Sequence, residues 1–242
     1  LFPVATFQKF GDSLPGAARF VGDGRVLTFG VNVPIRLWNV EKPEEPVWEV
    51  EVKGFAGELA VAPGLKQAAL AARSRLALLD LETQEVSQLD RFENSNPSKL
   101  VFSQDGRRLA FSSKTLGATW VVSWPELEPL VWIELAAVRT LAFSSDGELI
   151  AVGGGGFQGQ TYASQSRDGD FLEVWNVAGS EAMLRRRCGA PPRTLCFSPD
   201  NRFVVVGDTI GGLFRVDLAN PEREVEFRPA PERSASATEI LK

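Results

Sequence analysis

The chain has 242 residues, of which 26 are basic and 31 acidic, giving a net charge of −5; it contains two cysteines, one tyrosine and no histidine. An acidic balance without a lysine- or arginine-rich arm argues against nucleic acid as a partner, and the absence of imidazole removes Ser-His-Asp and Cys-His catalysis and histidine metal sites. No apolar segment approaches the roughly 20 residues that span a bilayer and no signal-peptide pattern opens the chain, so membrane insertion is not expected.

In chain order, residues 4–10 form an apolar run that reads as the last strand of a sheet with nothing before it. Short runs at 17–21, 26–30, 35–40 and 47–52, rich in Val, Leu, Phe and Trp and broken by Gly, Pro, Asn and Asp, then read as four strands. The pattern recurs. Phe20, Val61, Phe102 and Phe143 lie 41 residues apart, and Phe197 follows 54 residues later. Each anchor runs into a turn, written Phe102-Ser103-Gln104-Asp105-Gly106, Phe143-Ser144-Ser145-Asp146-Gly147 and Phe197-Ser198-Pro199-Asp200-Asn201 in the later repeats.

A fixed period with four short strands per repeat specifies an all-β protein, a β-propeller of four-stranded antiparallel blades. Five complete blades are expected in one domain, at approximately 11–52, 53–92, 93–135, 136–187 and 188–228, the last with strands at 194–198, 203–207, 213–218 and 223–227. Residues 1–10 and 236–242 are left as orphan strands of neighbouring or missing blades, which predicts a piece of a six- or seven-bladed ring. Open sheet edges invite pairing, so self-association is expected.

The Phe-Ser-x-Asp-Gly turns and the strand endings Leu37-Trp38-Asn39 and Val174-Trp175-Asn176 resemble the WD40 repeats over nearly the whole chain. The match departs from that pattern where Asn39 and Asn176 stand in place of Asp and where the Gly-His pair is missing from every repeat. In that family a His, an Asp, a hydroxyl and a Trp form a buried network in each blade. Without histidine the network is expected not to form, and apolar packing between sheets, supplied by 44% hydrophobic residues, to hold the blades.

Chemistry has few places to reside. Asp23, Asp105, Asp146 and Asp200 recur once per repeat; a catalytic residue is needed once and a turn residue in every blade, so they read as hairpin caps. Asp168, Asp170 and Glu173 lack the graded oxygen spacing of a calcium loop. The glycines at 153–156 are followed by Phe157 and Gln158 where a phosphate loop carries Lys-Ser/Thr. No cofactor and no enzyme activity are predicted. Cys188 and Cys196 are expected to be unpaired thiols in a reducing, cytoplasmic setting.

Trp38, Leu79 and Trp120 each come 18 residues after their anchors, but Trp175 comes 32 after Phe143. About thirteen residues are therefore inserted between the second and third strands of the fourth blade, in a polar segment spanning 153–170. By the resemblance, that loop overhangs the top face, where WD40 proteins bind partners. Four residues before the anchors stand Gly16, Gly57, Ser98, Arg139 and Arg193, so only the fourth and fifth blades place arginine there. Adjacent guanidinium groups beside a long loop suit an acidic or phosphorylated protein segment. The candidate partner-binding residues are Arg139 and Arg193, Phe157, Gln158, Tyr162 and Arg167 of the insertion, and the rim residues Asn32, Lys114 and Thr209.

The function expected is a protein-protein interaction scaffold within a larger assembly. One alternative is a purely structural complex subunit, held through its edges and outer apolar positions such as Trp48 and Trp132. The Gly-rich insertion also resembles one in propellers that act as guanine-nucleotide exchange factors at the endoplasmic reticulum, although the basic residue expected after the glycines is missing. An enzymatic or small-ligand propeller would need charges converging on the inner strands, which read as mostly apolar.

Overall fold

The computed structural model describes residues 17–31, 33–64, 66–72, 74–113, 115–135, 137–155 and 170–227. Within them lie five sheets of four strands, each an antiparallel meander with strands adjacent in sequence order. The first holds β1 (Ala17–Phe20), β2 (Arg25–Gly30), β3 (Val33–Asn39) and β4 (Trp48–Val50). The second holds β5 (Phe55–Val61), β6 (Gln67–Ala72), β7 (Arg75–Asp80) and β8 (Val86–Leu89), followed by a single 3-10 turn at Asp90–Phe92. The third holds β9 (Pro97–Phe102), β10 (Arg108–Ser113), β11 (Ala118–Ser123) and β12 (Pro129–Ile133). The fourth holds β13 (Val138–Phe143), β14 (Leu149–Gly154), β15 (Asp170–Asn176) and β16 (Glu181–Cys188). The fifth holds β17 (Pro192–Phe197), β18 (Phe203–Asp208), β19 (Leu213–Asp217) and β20 (Asn220–Glu226). The orphan strands expected at 1–10 and 236–242 lie outside the described residues.

Sheets stack face to face in sequence order, and that arrangement explains why the middle strands do not alternate apolar with polar. In β10, Leu109, Ala110 and Phe111 are all fully buried, because each face of the third sheet meets a neighbour. Ala68, Ala69 and Ala71 do the same in β6 with small side chains. Four apolar clusters result. Leu27, Phe29 and Leu37 meet Leu59, Leu70 and Leu79 between blades one and two. Leu76 and Ala69 meet Leu109, Phe111 and Trp124 between two and three, where Phe111 also takes Phe92 edge-on at 4.9 Å and stacks on Trp120 at 5.4 Å. Val121 and Ile133 meet Ile150 and Val152 between three and four. Leu172 and Val174 meet Leu195, Val204 and Val216 between four and five.

Among the described residues no cluster joins the fifth blade to the first. The far face of blade five shows the difference: Phe203, Val205 and Arg215 are half-buried and Cys196 is exposed, whereas the same sheet's inner face is closed over Val204, Val206 and Val216.

The turns after the anchors follow one chemical plan. In blades three, four and five, Ser103, Ser144 and Ser198 donate to the carboxylates of Asp105, Asp146 and Asp200 at 2.6, 2.6 and 2.5 Å. Each carboxylate accepts the backbone N–H two residues on, and each serine oxygen accepts the N–H five residues on. These hydrogen bonds hold the three aspartates below the usual carboxylate range, the serine bond contributing most. Blade one has Val21 at the serine position, and there Asp23 reaches only Arg25, at 3.3 Å.

One expectation needs correction. Part of the polar network survives in the first blade, where the Trp38 indole donates to the buried Thr28 hydroxyl at 2.8 Å. By register the corresponding second-strand positions hold Leu70, Phe111, Val152 and Val206, whose side chains offer no acceptor. Trp175 instead donates to Glu173 at 2.9 Å, beneath the Arg185 guanidinium, which lies 5.3 Å from the indole centroid.

Candidate functional site

The first strand of every blade borders a common channel. β1, β5, β9, β13 and β17 all contribute to one cavity of about 350 Å³. It lies toward the end where those strands begin, and Gly30 and Val31 at the β2–β3 turn complete its rim.

Two of its lining residues owe their direction to breaks in strand pairing. Between β13 and β14 the register steps from Val138↔Gly154 to Thr140↔Gly153, leaving Arg139 without a cross-strand partner. β17 repeats the step, from Pro192↔Asp208 to Thr194↔Gly207, around Arg193. A bulge adds one residue to one strand and turns its side chain away from the regular alternation. In β9 the same step falls on Ser98, which is buried and bonds Ser112 Oγ at 2.9 Å.

The strand opposite each arginine bulge has a glycine. A β-carbon on Gly153 would lie 2.7 Å from Pro192 Cβ, and one on Gly207 would lie 2.7 Å from Thr194 Cγ2. One on Gly154 would lie 2.4 Å from the Ala137 carbonyl oxygen. These glycines are needed for close packing of the strands that carry the arginines.

Arg139 is tied to the root of the insertion. Its Nε donates to the Gly155 carbonyl at 2.8 Å, and the Gly155 N–H donates to the Ala137 carbonyl at 3.2 Å. Arg193 is exposed and reaches the same cavity from the neighbouring blade. Asp208, one carboxylate that could have held Arg193, is taken up by its own turn, accepting the N–H groups of Ile210 at 3.0 Å and Gly212 at 2.7 Å.

The inner strands are apolar at most positions, as the sequence suggested, but each brings one charged side chain to the cavity. Arg19 from β1, Lys99 from β9, Arg139 and Arg193 line the cavity with Glu58 from β5, a surplus of three positive charges in a chain whose net charge is −5. Glu58 pairs with Lys99 across the blade boundary. Arg19 Nη1 donates to the Ala18 carbonyl at 2.9 Å. Glu58 and Lys99 are separated by 41 residues, one full repeat, and stand three residues before their anchors. Reading charge at that neighbouring position of the repeat would have found them.

Of the polar segment 153–170, Gly153 and Gly154 end β14 and Asp170 begins β15, and residues 156–169 lie outside the described residues. Phe157, Gln158, Tyr162 and Arg167, with Asn32 and Lys114, lie outside the described residues. Thr209 sits exposed in the β18–β19 turn, its N–H donating to the Pro191 carbonyl at 3.1 Å just before β17. It does not line the cavity. Cys188 and Cys196 are not joined in a disulfide.

Neither a family model nor a curated protein matches the sequence. Among solved structures, the chain is similar to the WD40 domain of Neurospora crassa Pan2, with a TM-score of 0.71 at 16% identity, over 90% of this chain and 66% of that one. It is also similar to the hydrazine synthase of Kuenenia stuttgartiensis, with a TM-score of 0.63 at 12% identity, over 80% of this chain and 60% of that one. The chain thus spans somewhat less than two thirds of each of these structures. At such identities the likeness is one of architecture, and it establishes the WD40-type propeller fold for this chain.

Proposed function

We propose that this propeller is a non-enzymatic interaction scaffold that binds an acidic or phosphorylated segment of a partner protein on its top face, around blades four and five. The observation that carries the reading is the pair of bulged arginines, Arg139 and Arg193, at matching positions of adjacent blades beside the start of the insertion. Bulges cost regular pairing and favour sites where a side chain must be redirected. Guanidinium groups suit carboxylate and phosphate oxygens because both can be bonded in a fork. Two cysteines outside any disulfide fit action in a reducing, cytoplasmic compartment.

The test is capture of partners from cell extract by three forms: wild type, Arg139→Glu/Arg193→Glu, and a deletion of residues 157–168, each checked for an unchanged melting temperature. Loss of the same protein from both variants is the expected result. Equal recovery by all three would move binding elsewhere, to the second reading of a permanently held subunit. That reading has its own support in Trp132, 60% exposed on the outer strand β12, and in the half-open far face of blade five.

A further inference from the structure

We infer that the partner segment is acidic and apolar at once: an extended stretch whose carboxylates enter the cavity while large apolar side chains between them rest on an aliphatic rim around its mouth. This rests on the partner reading above and adds what the segment carries besides negative charge. The observation is a pairing that recurs in alternate blades. Val31, Leu116 and Ile210 are exposed by 61%, 55% and 80%, and stand in the turns between the second and third strands of blades one, three and five. Each shares its blade with a cation that lines the cavity: Arg19 in the first, Lys99 in the third and Arg193 in the fifth. Val31 lines the cavity itself. In blade three, Ser112 pairs with Lys99, and the next residue, Ser113, accepts the Leu116 N–H on its Oγ at 3.0 Å. In blade five, Pro192, beside Arg193, pairs with Asp208, whose carboxylate accepts the Ile210 N–H at 3.0 Å.

A single exposed aliphatic side chain is ordinary. Here side-chain bonds cap two of the three turns, so Leu116 and Ile210 are held in water by fixed structure. Of the other large apolar side chains exposed by more than half among the described residues, Phe20 and Val47 belong to blade one, and Trp132 and Met183 to outer strands, so no other turn position recurs. The charge used by the inference is that of Arg19 and Arg193, since Arg139 is engaged with the Gly155 carbonyl and Lys99 with Glu58. At about 350 Å³ the cavity is smaller than one turn of helix with its side chains, so it takes carboxylate groups while the backbone of the segment crosses the rim. Apolar side chains laid on Val31, Leu116 and Ile210 bury those residues and keep water from the guanidinium–carboxylate forks beneath, which strengthens them. A purely acidic segment would leave all three aliphatic side chains in water.

The test selects a random peptide library, displayed on phage, against the immobilised purified chain, and reads the Kd of the leading synthetic peptides by fluorescence anisotropy. Expected are peptides in which Asp or Glu alternates with Leu, Ile or Phe. Leu116→Ser and Ile210→Ser each weaken their binding about tenfold, Arg193→Gln weakens it at least as much, and Met183→Ser on the outer strand β16 leaves it unchanged, all four variants melting with the wild type. Acidic peptides without apolar residues that bind Leu116→Ser and Ile210→Ser as tightly as wild type overturn this inference and leave the partner reading standing. Peptides indifferent to Arg193→Gln, or a selection that enriches none, overturn both.

Discussion

Ser144 shows how a recurring pair of letters in the sequence becomes a stabilising device. Its hydroxyl donates to Asp146 and accepts the Leu149 N–H, so one buried oxygen closes the turn on both sides. Because Asp105, Asp146 and Asp200 titrate below their ordinary range in the fold, each contributes stability that is fully present above the unfolded carboxylate pKa of about 4. That contribution is lost as pH falls through the lower, folded value. Urea midpoints measured from pH 7 to pH 2.5 should therefore drop steeply at the acid end for wild type, and more shallowly for the triple Asp→Asn variant; parallel curves would refute the assignment. These turns were legible in the sequence because the chemistry is local: serine and aspartate two positions apart suffice. The cavity was only half legible. Arg139 and Arg193 stood out by repeat position, but their redirection depends on a pairing step with β14 and β18, and no local pattern announces it. Arg19 and Lys99 were missed because a charge on an otherwise apolar strand acquires meaning only when five strands meet.

At the scale of the element, every blade is a meander whose stability comes from the sheets on either side of it. Among the described residues, blades two, three and four each contribute to two apolar clusters, and blades one and five to one each. Stability in stacked repeats is close to a sum of neighbour terms, so the first and fifth blades, each with one apolar neighbour, should open before the middle ones. Hydrogen exchange should find amides of β18 and β19 exchanging at least tenfold faster than those of β10 and β11. Equal protection would mean that the fifth blade has a second supporting face. Strand positions followed the sequence closely because short apolar runs and turn residues fix them. The loss of alternation in β6 and β10 also has a sequence signature, a continuous apolar run, which marks a sheet covered on both sides. What the composition could not supply was which indole would find a hydroxyl. Trp38 did, and Trp120, whose cross-strand neighbour is Phe111, lies flat on that ring.

For the whole molecule, the half-open face of blade five has a hydrodynamic consequence. Val205 and Phe203 are incompletely covered there, although Arg202 and Arg215 lie over the Phe203 ring at 4.9 and 4.6 Å and guard part of the surface. Sedimentation velocity across a hundredfold range of concentration should show reversible self-association that Val205→Glu abolishes; a constant sedimentation coefficient for wild type would remove the expectation. The propeller architecture was legible from the 41-residue period alone, because a repeat of four strands has few ways to bury itself. How the ends of the arc relate was not, since that depends on contacts between residues far apart in the chain.

That every apolar cluster among the described residues lies between blades consecutive in sequence bears on how the protein is made. Each blade, on leaving the ribosome, meets a finished docking face on the one before it. At about 5–20 residues per second, a blade emerges every few seconds, far longer than a hairpin needs to form. The described core can thus be assembled vectorially, without waiting for the last residues to be synthesised.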